Sequence, residues 1–294
     1  MRLPNEFVPR EISDPRLKDL LNNFSNCIDE VVDYGTHILK IDLDSVQGSD
    51  EQIPIIFSIR QIIDLADSIS ILIKNSSIDS CKLILRGLLE TCFGIEYMLE
   101  GDTVERCMAF MVWHAHKNMK VYERINSTKE PGKQLQSTLN DDKLLNGIEF
   151  GIKAEFLDGK YENLCSLLKR PEYQKAEQEF QNLKKLKIKN PAWYQFYSGP
   201  KSIQELAKYL KLSGMYELLY RNLSGPIHGT DIFQGKLSGN ENQLEVLQLR
   251  FAGDARSIYM LTVNLTIMTY STYVEKRLPN NYEEFKKWKE QLKI

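Results

Sequence analysis

Residues 81–95, CKLILRGLLETCFGI, are apolar on nearly every side of a helix. A helix without a polar face has no surface to turn to water and belongs in the middle of a bundle. Ser77 and Ser80 can begin this helix, which the spacing places at about 77–100. Charges nonetheless sit inside it. Arg86 and Glu90 are four apart and share one face. A charge inside a bundle needs a partner, so the two are expected to pair or to meet a polar group across the core.

The rest of the chain supplies helices to surround that one. Residues 1–14, broken by Pro4 and Pro9, read as an extended arm. Asp14-Pro15 is an N-cap and first helical residue, opening a helix to about Lys40 through Leu17, Leu21, Phe24, Ile28 and Val31. His37 is expected in its last turn, and Asp42–Glu51 in an acidic loop. Pro54 opens a helix over about 53–74, and another runs over about 103–125. Asn126–Asp141, with Pro131-Gly132, reads as a turn or surface loop. Residues 126–190 form a peripheral insertion of less regular helices. Ser202 to Glu205 is a capping box for a short helix that Gly214 is expected to stop in the left-handed conformation. A helix over 215–223, a polar turn at Ser238–Asn242, and a short strand or extended link at Leu244–Phe251 follow. A long apolar helix over about 254–277 completes the core. The amphipathic helix 279–294 is capped by Asn281 with Glu284. The fold class is all-α, a helical bundle over 15–278 with an inserted helical segment.

Composition excludes more than it selects. A formal charge of −2 gives no global basic field. Charge is uneven, however: 169–189 carries seven basic residues against three acidic, a solvated helix face or a local basic patch. Five cysteines without a C-x-x-C pattern read as free buried thiols of a cytoplasmic protein. No apolar run reaches membrane-spanning length, so no membrane is expected. His114 and His116 stand about 200° apart on a helix and cannot chelate one metal. Neither a metal nor a cofactor is expected.

Chemistry concentrates in Tyr216–Asp231. In an unbroken helix Arg221, Ser224 and His228 share a face, and Pro226 then breaks or kinks the helix. An acyl-transfer machine built on Ser224 and His228 would need Asp231 or Glu90 to orient the imidazole. Metal-independent phosphodiester cleavage asks for less. Histidine titrates near neutral pH and serves a ribose 2′-hydroxyl as base or acid, while an arginine forks onto the phosphate. The bland alternative is a helix-terminal turn whose histidine bonds a backbone carbonyl.

Arg221-Asn222 followed by His228 is similar to the signature of the HEPN superfamily, helical domains with an arginine, a polar residue and a later histidine. The resemblance implies a metal-independent endoribonuclease of phage-defence or toxin type, working as a homodimer and restrained by a regulatory protein. It implies catalytic roles for Arg221, Asn222 and His228 on an RNA substrate. Over about 55–275, Arg86-x3-Glu90, Trp193-Tyr194, Tyr216, Tyr220 and Ser224-x3-His228-Gly229 together resemble a bacterial all-helical domain family of unknown function. That likeness implies that Arg86, Glu90, Ser224 and His228 converge, with Tyr220 in support. The alternative function is a non-enzymatic sensor or adaptor in which these residues form a structural network.

Overall fold

Asp14 does start the first helix: its carboxylate accepts from the Arg16 amide at 2.9 Å. The computed structural model describes residues 6–45, 50–148, 151–223, 236–240 and 243–292. The protein is all-α, and the chain divides into two units, Met1–Gly101 with Ile203–Ile294, and Asp102–Ser202.

In the first unit α1 (Pro15–Ser45), α2 (Ile53–Lys74) and α3 (Ile78–Glu100) pack in sequence, each on the next. The bounds of α2 are those its apolar spacing predicts. α1 instead runs past Lys40, absorbing the first part of the expected acidic loop and leaving His37 well inside the helix. The reason is Asp42, whose side chain is 2% exposed. It is clasped by the long helix near the C-terminus of the chain, Ala255–Arg277, which also packs on α1 and α3 and closes a four-helix bundle. Arg277 forks onto Asp42 with two bonds of 2.8 Å, and the Tyr273 hydroxyl donates to the same carboxylate at 2.5 Å.

α3 and Ala255–Arg277 bury polar atoms between them. Glu96 of α3 is pushed up to about 7 by burial, against the nearby hydroxyls of Thr272 and Thr269, with the charge of Glu100 adding to the rise. A carboxyl raised on folding binds a proton more tightly in the native state, so stability falls as pH rises from the ordinary carboxylate range through 7. The Glu96→Gln variant is expected to lose that slope and to gain on the order of 2 kcal/mol over the parent at pH 8. Urea unfolding of both proteins at pH 5 and 8 checks it; parallel curves at the two pH values would discard the assignment.

Gly35 of α1 lies against the same helix. A Cβ there would stand 1.8 Å from the Tyr270 hydroxyl and 2.9 Å from Ile63 Cγ1. Tyr270 is fully buried, and its hydroxyl has no hydrogen-bond partner among the described residues. Gly35→Ala is therefore expected to cost about 1–3 kcal/mol, in the range of overpacked cores. Adding Tyr270→Phe, which removes the colliding oxygen, should recover part of the loss in a thermal melt.

The second unit is built on α4 (Thr103–Ile125), whose bounds are as expected. Against it pack α5 (Glu130–Asn140), α6 (Ala154–Leu168), α7 (Pro171–Lys185) and the tight turns of Trp193–Ser198. α5 corrects the loop expected at Asn126–Asp141. Pro131 sits in its first turn, where the missing N–H costs nothing. Gly132 is required because a Cβ would stand 1.8 Å from the Asn126 carbonyl oxygen.

Back in the first unit, α8 (Ile203–Tyr209) ends at Lys211, not at Gly214. Lys211 takes φ 59°, and the Leu212 amide reaches back to the Ala207 carbonyl at 2.8 Å. Gly214 is instead helical, inside α9 (Ser213–Met215). Strands β1 (Leu237–Asn240) and β2 (Gln243–Val246) pair antiparallel, Leu237 opposite Val246, where a polar turn was expected at Ser238–Asn242. Ala255–Arg277 is α10, and α11 (Tyr282–Gln291) packs on it.

Candidate functional site

α9 continues without a break into a π-helical turn, Tyr216–Tyr220, in which the Arg221 amide reaches five residues back to the Tyr216 carbonyl. The helix then carries Arg221, Asn222 and Leu223. A π turn inserts one residue into the helical ladder and rotates the side chains that follow, and such turns gather at functional sites. Here the turn stacks Tyr216 on Tyr220 with ring centroids 5.1 Å apart.

The turn packs on α3, and it lands on the two charges. Arg86 donates through Nε to Glu90 Oε1 at 3.0 Å and through Nη2 to the Tyr220 hydroxyl at 2.8 Å. Its guanidinium carbon is 4.4 Å from the centre of the Tyr220 ring. Arg86 thus pairs with Glu90 as their spacing predicts, but not within the core. The Arg86 side chain is 15% exposed and that of Glu90 45%. Leu83 and Glu90 are exposed on α3, with Arg86 and Gly87 half-buried, so this side is not one of the faces α2 and α10 seal. The Tyr220 phenol is pushed up, by burial first and by the charge of Glu90 second, with Arg86 opposing.

Arg221 is exposed, and its Nη1 donates to Glu217 one turn back at 2.8 Å. Asn222 turns inward along its own helix, its amide donating to the Leu218 carbonyl at 2.8 Å. Ser224, Pro226, His228 and Asp231 lie outside the described residues. Of the expected constellation, then, Arg86, Glu90 and Tyr220 come together, Arg221 follows Tyr220 directly in the chain, and the Asn222 amide bonds the Leu218 carbonyl.

The other histidines have partners. His37 Nε2 is 3.0 Å from Glu284 Oε1. In the second unit His116 is 2.7 Å from Glu177 Oε2 and stacks on Phe180 at 3.9 Å, while His114 lies by Asn118. The two imidazoles of His-x-His go to different partners, as helical geometry dictates. Four cysteines are buried thiols, with Cys81 and Cys92 each raised to about 12 by burial. Cys165 is half-buried. Among the described residues no helix is long and apolar enough to cross a membrane.

The Asp42–Tyr273–Arg277 cluster was not foreseen from the sequence. Its members are 231 and 235 residues apart, and a local pattern offers no signal for such a pairing.

These features define an all-α protein whose first unit is a helical bundle carrying an Arg–Glu–Tyr cluster at a π turn. The chain belongs to a family of unknown function, DUF5677, whose pattern matches residues 52–243. The match covers more than half of the chain and takes in the whole cluster. No curated protein and no solved structure matches it.

Proposed function

We propose that this protein is a metal-independent endoribonuclease whose reacting groups gather at the π turn. The observation that carries the reading is the exposed Arg221, placed next to a tyrosine that Arg86 already holds. Among the described residues Arg221 is ion-paired to Glu217, and exposed pairs of this kind are weak. A phosphate can displace that carboxylate and take the forked guanidinium contact.

In the proposed reaction His228 takes the proton of a ribose 2′-hydroxyl. The 2′-oxygen then attacks phosphorus, and the bond to the 5′-oxygen breaks. Proton return from the imidazole to that oxygen leaves a 2′,3′-cyclic phosphate and a 5′-hydroxyl. Arg221 neutralises the charge that grows on the phosphate. Asn222, exposed beside Arg221 with its amide donating to the Leu218 carbonyl, is the third group assigned to the site. A second copy of the chain facing the first, and a protein that restrains the activity, belong to the same proposal. The test is cleavage of single-stranded RNA in EDTA: product with a cyclic phosphate from the parent, none from His228→Ala, and none from a 2′-deoxy substrate.

A second reading has an observation of its own. Arg86 is bonded on both sides, to Glu90 and to Tyr220, which is how a clasp seating the π turn on α3 would look. In a binding module with no reaction, the cluster would do that and nothing else.

A further inference from the structure

We propose that the Asp102–Ser202 unit carries a face that binds the backbone of single-stranded RNA, along α4 and the end of α7. The choice of RNA rests on the nuclease reading above; the face itself rests on charge and ring geometry.

Trp113, Lys117, Lys120 and Arg124 follow one another on α4 at intervals of four, three and four, which places them on one side of the helix. The three cations are exposed. Residues from α7 and the chain just after it join this strip. Lys120 Nζ reaches Asn190 Oδ1 at 3.1 Å, and Lys184 Nζ reaches the Lys189 carbonyl at 2.8 Å. The Lys120 ammonium is held below its ordinary value by burial and by the nearby charge of Lys184. Among the described residues none of Lys117, Lys120, Arg124, Lys184 and Lys189 forms an ion pair, whereas Lys175 is taken by Glu105. Of the three carboxylates of α7, Glu177 is occupied by His116 and Glu179 by the Tyr197 amide, while Glu172 stands in the first turn, at the other end of the helix from Lys184. Glu123 stands beside the strip, in a groove of about 380 Å³ that Lys120 and Arg124 line with residues of α5.

Lysines at the end of α7 also complement the helix dipole, and Lys184 alone would mean no more than that. Arg124 likewise lies in the last turn of α4, but Lys117 and Lys120 stand before that turn and have no such explanation. Crowded like charges that outnumber the carboxylate beside them are relieved by a polyanion.

Aromatic rings separate RNA from an acidic protein as the partner. Lys117 Nζ lies 5.1 Å from the centre of the Trp113 ring. His114 is exposed and lies parallel to Phe110, centroids 6.2 Å apart and 6° between planes. Burial and Lys117 hold His114 below its ordinary value, so it presents a neutral ring at pH 7. An unstacked base can extend that pair, as an acidic peptide cannot.

The experiment uses the full chain carrying His228→Ala, so that RNA survives, and a fluorescein-labelled oligouridylate read by anisotropy across a salt series. The triple variant Lys120→Glu, Lys184→Glu, Lys189→Glu is expected to bind at least about tenfold more weakly, with a slope of log affinity on log salt shallower by about two. Lys→Gln at the same positions should fall between. His114→Ala should weaken binding about tenfold and leave the slope alone. Unchanged affinity and slope in folded triple variants would overturn the proposal, as would a parent protein that prefers polyglutamate to RNA. Cleavage is measured separately with His228 intact. Patch-dependent binding without cleavage would remove the nuclease and leave this face standing; cleavage with unaltered binding in the triple variant would remove the face alone.

Discussion

Replacing Arg277 with alanine is expected to destabilise the first unit by about 3–5 kcal/mol, the range for a buried ion pair that loses one member. The reason is the Asp42 carboxylate, which stays sealed in the bundle with, among the described residues, the Tyr273 hydroxyl left to answer it. Leaving the charge orphaned costs more than the bond itself is worth. The effects of related changes should therefore follow the charge that remains, and not the number of bonds lost. Arg277→Lys keeps a cation but loses the fork, and should cost less than alanine. Tyr273→Phe removes one hydroxyl and should cost about 1 kcal/mol. The double variant Asp42→Asn, Arg277→Met leaves no buried charge at all and should be milder than Arg277→Ala alone. Urea unfolding can be followed through Trp288, which stacks on Tyr34 at 3.9 Å in the same unit, with Trp113 and Trp193 replaced by phenylalanine. A double variant worse than Arg277→Ala would show that shape, not charge, governs this site.

The contrast between that cluster and the helices around it marks what a sequence can disclose. The ends of α2 and α4 were legible because apolar spacing and Pro54 are local signals. The Arg86–Glu90 bond was legible for the same reason, as an i,i+4 pair. Its exposure was not. Apolar residues nearly all round α3 imply burial all round, yet where the chain lays only the π turn the helix keeps a half-open side. Pro131-Gly132 misled because the same dipeptide serves a turn and a helix start, and the choice depends on how close the Asn126 carbonyl comes. Lys211 displaced Gly214 as the left-handed residue because the Leu212 bond to Ala207 fixes the stop there, at the cost of strain a glycine would avoid. Tyr220 meets Arg86 across 134 residues. Family resemblance marked Tyr220 only as a supporting residue, and no spacing rule connects it to Arg86.

His228→Ala is the second change expected to have a large effect, and it separates the two readings of the π turn. General acid–base catalysis by a positioned imidazole is worth about 10²–10⁴ in rate, so cleavage in EDTA should fall by at least about a hundredfold while the melting curve stays put. Arg221→Ala should bring a loss of similar order by removing charge stabilisation, and Arg221→Lys should recover only part, because an ammonium cannot fork. Arg221 is exposed, so the packing of the bundle does not use its guanidinium. Arg86→Ala is different. It strips Tyr220 and Glu90 of a shared partner, so a fall in thermal stability should accompany any fall in cleavage. Tyr220→Phe keeps the ring under the guanidinium and loses only the hydroxyl bond, and should lie between parent and Arg86→Ala in both measurements. If the π turn is only a clasp, the pattern inverts: the parent cuts no RNA, and His228→Ala lowers stability by about 1–3 kcal/mol as a broken buried network does. A melting curve and a cleavage assay on the same five variants are enough to tell a reacting imidazole from a structural one.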